Sequence, residues 1–144
     1  MAQHSVRFEQ FFAAPRPVVF GWFAQHQNMA RLFGGRLKRT VAASGDAPEG
    51  LGSVREVGVG LLRLEETITR FEPPEVIEYR VTRGWPITDH LGRLCFSEID
   101  GGTQLDYAIE FKVAVPGLGG IFAGVLCASW RRHIHRVVDA VSGA

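Results

Sequence analysis

The chain has 144 residues, 46% hydrophobic and 22% charged, with a formal net charge of +1. That balance is ordinary for a globular protein and excludes a strongly basic nucleic-acid binder, and no apolar run approaches the roughly 18 residues of a membrane span. One domain, 1–144, is expected at this length, with roughly two-thirds of its unfolded surface buried. The opening MAQHSVRFEQ lacks the apolar core of a signal peptide. Cys95 and Cys127 show no metal-type spacing, and a chain of this size needs no disulfide staple. A cytoplasmic, reducing location is the expectation.

In chain order, residues 4–13 alternate as a strand, with Val6, Phe8 and Phe12 on one face. Pro15 and Pro17 mark a helix start, and a second short helix is predicted from Gln27 to Phe33, ended by Gly34-Gly35. Strands are predicted over 37–44, 53–58, 61–72, 75–83, 87–99 and 103–113. DAPEGLG, Pro73-Pro74, Gly84-Trp85-Pro86 and Asp100-Gly101-Gly102 punctuate them. From Gly117 to Ala144, Leu118, Phe122, Val125, Trp130, Ile134, Val137 and Val141 recur at helical steps. A helix of about 26 residues is roughly 39 Å long, enough to lie across a whole sheet of strands about ten residues long. A single rod closing a curved sheet can leave a hollow beneath it.

Three stretches carry a resemblance: FFAAPRPVVFGWFAQHQNMARLF, EETITRFEPPEVIEYRV and HLGRLCFSEIDGGTQLDYAIEF. Their aromatic strand, Ala-Pro and Val-Phe helix entry, Pro-Pro turn and Gly-Gly-Thr hairpin resemble the START-like superfamily (SRPBCC) over nearly the whole chain. This superfamily includes lipid-transfer proteins and polyketide cyclases/dehydratases. The resemblance implies an α+β helix-grip fold. In it, a curved antiparallel sheet of six to seven strands wraps a long C-terminal helix, with two short helices after the first strand. It says little about activity, because one cavity serves carriers, receptors and enzymes there.

Alternation then names the side chains expected to see the cavity. Leu105, Tyr107, Ile109 and Phe111 share one face, as do His90, Leu94 and Phe96, and Ile77, Tyr79 and Val81. Leu62, Leu64 and Ile68 share theirs with Glu66, an inward carboxylate that needs a partner or a strand end near solvent. His90 suits either the wall or the rim. If it faces Glu66, the two form an acid–base pair and are the candidate catalytic residues. The expected ligand-binding set is Leu64, Glu66, Ile77, Tyr79, His90, Leu94, Tyr107, Ile109, Phe122, Trp130 and His133. Each polar member also has a structural reading: the tyrosines as core rings with locally bonded hydroxyls, and His133 as a flank of the core. Trp85 is expected either to plug the cavity mouth or to pack on the short helices. VPGLGGIFAG lacks phosphate-loop spacing, and the scattered histidines support no metal site and no cofactor.

Two functional classes stay open. One is a binder or carrier of a small hydrophobic or amphipathic molecule, such as a lipid, polyketide or aromatic metabolite, acting as a monomer or homodimer. The other is a polyketide cyclase/dehydratase-type enzyme in which Glu66 or His90 moves protons. The binder is favoured, since no titratable pair is held together by local spacing. A third class, an interaction module, would need an outer apolar patch, and none is evident in the sequence.

Overall fold

The computed structural model describes residues 2–59 and 61–143, so the expected helix end at Ala144 lies outside the described residues. The elements are β1 (Gln3–Phe12), α1 (Arg16–Ala24), α2 (His26–Phe33), β2 (Arg36–Val41), β3 (Val54–Val59), β4 (Leu62–Glu72), β5 (Val76–Arg83), β6 (Ile87–Ile99), β7 (Gly102–Val113) and α3 (Leu118–Ser142). All seven strands join one antiparallel sheet in the order β1-β7-β6-β5-β4-β3-β2, and the architecture is the helix-grip α+β fold. Element order follows the sequence reading, with ends moved by a few residues. β2 stops at Val41 rather than residue 44, and α2 begins one residue before Gln27. Pro15 is the N-cap of α1 and Pro17 lies in its first turn, where a missing N–H costs nothing.

Two kinds of irregularity decide which side chains face inward. Thr88 pairs with Lys112 and Leu91 with Glu110, so two residues of β6 oppose Phe111 alone. Asp89 carries this bulge at φ 48°. The extra residue lets Ile87 and His90, of opposite parity, both turn inward. A similar shift in the β4–β5 ladder, with Thr69 extra between Ile68 and Arg70, lets Phe71 join the core after Ile68, so a single phase does not hold along β4. The Asp100-Gly101 turn joins β6 to β7, with Gly101 at φ 81°.

The densest packing lies toward α1 and under the second half of α3. Phe8 stacks on Trp130 with ring centres 4.4 Å apart, Phe12 meets Phe23 and Phe20 meets Phe96 edge-on, and Phe23 lies tilted against Phe96. Val137 and Val141 continue that packing to the end of α3. No helix among the described residues is long and apolar enough to cross a membrane.

Candidate functional site

After its first turn, where Gly119 meets His4 of β1, α3 stands off the sheet around Phe122 and Leu126. A cavity of about 250 Å³ remains, lined by Val57, Leu64, Val81 and Ile109 from the strands and by Phe122 and Leu126 from the helix. α2 and the start of β2 close one side through Met29, Phe33 and Leu37. The volume is slightly below the common range for small-molecule pockets, about 300 to 1,000 Å³. At roughly 30 Å³ per liquid water it equals about eight waters, which suits one or two rings rather than a two-chain lipid.

Polar groups cross its floor in one row. Arg55 on β3 pairs in register with Glu66 on β4, and Glu66 with Val81 on β5. The Val81 N–H donates to His90 Nδ1 at 3.0 Å. Arg55 is 3% exposed, and its Nε donates to Glu66 Oε1 at 2.8 Å. Its guanidinium also lies 4.7 Å from the centre of the Tyr79 ring, a cation–π contact. Burial opposes charge on Arg55, yet the Glu66 carboxylate keeps its pKa above the ordinary value. The Tyr79 and Tyr107 hydroxyls hydrogen-bond to each other, and burial pushes both phenols above their usual range. For His90, burial lowers the pKa; Glu66 opposes this, while Arg55 and Arg80 add to it. A neutral His90 that accepts at Nδ1 carries its proton on Nε2.

Behind Arg55 and Tyr79 lies a smaller hollow of about 10 Å³, bordered by His26, Glu49, Ile77 and Leu94. That is near the least space that holds one water. His26 is 1% exposed; its Nε2 lies 3.5 Å from Ser53 Oγ, and its Nδ1 has no partner among the described residues. Burial, helped by the Arg55 charge, lowers the His26 pKa to about 4.

The structure brings six of the expected ligand-binding residues to the cavity: Leu64, Glu66, Tyr79, His90, Ile109 and Phe122. The other five lie elsewhere. Ile77 and Leu94 face the small hollow, because they lie further along their strands, beyond Tyr79 and the Arg55 charge. Tyr107 is fully buried beneath, bonded to Tyr79. Trp130 stacks on Phe8 in the solid core. His133 Nδ1 is 2.9 Å from the Ser129 carbonyl and 3.1 Å from that of Leu32, tying α3 to α2. Trp85 neither plugs the mouth nor packs on the short helices; it is 73% exposed. The exposed Ile121 and Val125 line the cavity's mouth on α3, so apolar surface is more open at this end than the sequence reading held. Arg55 was the charged residue of the floor that the sequence reading missed. Ser53, Arg55 and Val57 alternate inward, and Val57 was the available signal for that phase. No group of three or more His, Cys, Asp or Glu among the described residues is placed to hold a metal ion.

The family described as polyketide cyclase / dehydrase and lipid transport matches residues 3–142. The chain belongs to this family. Solved structures extend the likeness of fold. A START superfamily protein from Mycobacterium smegmatis has TM-score 0.72 and 14% identity, covering 97% of this chain and 95% of the other. Norcoclaurine synthase from Thalictrum flavum has TM-score 0.66 and 12% identity over 95% and 94%. The Aha1 dimer from Colwellia psychrerythraea has TM-score 0.67 and 8% identity over 96% of each chain. No curated protein matches the sequence. At such identities these likenesses concern fold alone.

Proposed function

We propose that this protein binds, and as a carrier delivers, a small hydrophobic or amphipathic molecule in the cavity between α3 and the sheet. The observation that supports this best is the cavity itself, about 250 Å³, with an apolar wall and a few polar groups gathered on one floor. Filling it removes apolar ligand surface from water at about 25 cal/mol per Å². The whole chain then acts as one ligand-binding domain. Its two free thiols, Cys95 and Cys127, suit a reducing compartment such as the cytoplasm.

Calorimetric titration with 2-naphthol, a two-ring probe, tests this reading. Saturable one-to-one binding is expected in the native chain, with loss of about tenfold or more in affinity in Leu64→Trp, which fills the wall. Absence of saturable binding in the native protein would overturn the reading.

A second reading is favoured by His90 and Glu66 on one floor. The same cavity would cyclise or dehydrate a polyketide-like substrate, with these groups moving protons. It requires turnover of such a substrate that vanishes in both Glu66→Gln and His90→Ala. Binding that persists without turnover in the native protein supports the carrier.

A further inference from the structure

The charges that reach the cavity cancel. Arg55 and Glu66 both border it, and they are joined at 2.8 Å with side chains only 4% and 13% exposed. Arg36 also borders it, but its charge points elsewhere. Val57 faces in, so Gly58 faces out, and Arg36 Nε lies 3.8 Å from where a Cβ on Gly58 would stand. The Arg36 guanidinium stem therefore runs on the outer face of the sheet. His90 has its Nδ1 occupied by the Val81 N–H, which leaves Nε2–H as its remaining donor. Glu66 holds Arg55 through Oε1 and retains a second oxygen as an acceptor.

We propose that the cavity selects a neutral molecule of one or two rings bearing a hydroxyl group, and rejects carboxylates and ammonium ions of the same size. His90 Nε2–H donates to the hydroxyl oxygen, and the hydroxyl proton is offered to Glu66. This rests on the ligand-binding reading above and deepens it. The physical reason is charge compensation. An ion brought into this apolar space gives up its hydration and finds both opposite charges already engaged with each other, so the loss goes uncompensated. A neutral hydroxyl gives up far less and meets one donor and one acceptor.

Calorimetry at pH 7 with 2-naphthol, 2-naphthoate and 2-naphthylmethylammonium tests the selection. 2-Naphthol is expected to bind the native protein at least about tenfold more tightly than either ion. Glu66→Gln leaves Arg55 unpaired and should shift the ratio toward naphthoate by about tenfold or more; Arg55→Gln should shift it toward the ammonium ion. The native ranking needs no variant, so it decides even if these substitutions unfold the chain. His90→Phe should narrow the preference for 2-naphthol over naphthalene, leaving only the contact to Glu66, and an unchanged preference there would overturn the His90 contact. Naphthoate binding as tightly as 2-naphthol in the native protein would overturn charge selection while leaving ligand binding standing. If none of the three binds, both readings fall.

Discussion

Gly92 shows how one missing side chain sets the site. It stands opposite Tyr79 on β5 and Ile109 on β7, and a Cβ there would run into the Tyr79 ring. The ring lies across bare backbone, which fixes where its hydroxyl meets Tyr107 and where Arg55 stacks. Gly92→Ala is expected to destabilise by about 1–3 kcal/mol through overpacking and to weaken 2-naphthol binding. Urea unfolding and calorimetry check the two effects; an unchanged midpoint would mean that the ring shifts freely. At this scale the sequence was half legible. The inward parity of Glu66 could be read directly, because Leu64 and Ile68 flank it at two-residue steps. Its partner was missed, because an arginine on a six-residue strand reads as a solvent-facing residue and only Val57 hints at the phase. Only the pairing of Arg55 with Glu66 across β3 and β4 reveals the compensation. Tyr107 shares its parity with Ile109, yet Phe8, Phe33 and Trp130 pack edge-on against it and Tyr79 bonds its hydroxyl, so its coverage is set by other elements rather than by its own strand.

Among the elements, α3 had the clearest pattern and the least obvious division. Its apolar stripe is continuous, but Phe122 and Leu126 face empty space while Trp130, Val137 and Val141 face solid core. Periodicity reports which face points inward and is silent about what lies beneath, so Trp130 and His133 were assigned to a wall they do not reach. The same helix holds glycines with opposite roles. A Cβ on Gly119 would strike the His4 ring, which itself stacks 5.6 Å from Phe111, whereas a Cβ on Gly124 meets nothing within 4 Å. Gly124→Ala is expected to stabilise by up to about 1 kcal/mol through helix propensity, raising the Tm by about 2–4 °C. Gly119→Ala should lower it. Thermal unfolding of the two variants reads the difference, and equal shifts would contradict this division. The bulge at Asp89 was likewise hidden, since two-residue alternation cannot announce the point at which it changes phase.

For the whole molecule, the order of elements was legible because turns and periodicity mark it locally. The size of the hollow was not, because it depends on how α2, α3 and six strands meet. The burial of histidine is equally non-local, and it governs the response to acid. His26 and His90 are 1% and 8% exposed, and burial lowers both pKa values from 6.5, that of His26 to about 4. Between those limits the unfolded chain binds protons that the fold refuses, so stability falls as pH drops from about 6.5 toward 4, by at most about 1.4 kcal/mol per pH unit for each histidine. Glu78 acts in a lower window. Burial alone would raise its pKa, but bonds from Arg70 and Arg93, both at 3.0 Å, hold it below 4.5, so its contribution is present above that value and lost as pH falls through its depressed folded pKa. Urea midpoints taken at pH 7.5, 6, 5 and 4.5 should therefore be level at first and then decline. His26→Gln should remove part of the slope between pH 6 and 4.5, leaving the share due to His90. Midpoints that stay constant from pH 7.5 to 4.5 would mean that neither imidazole is held neutral by the fold.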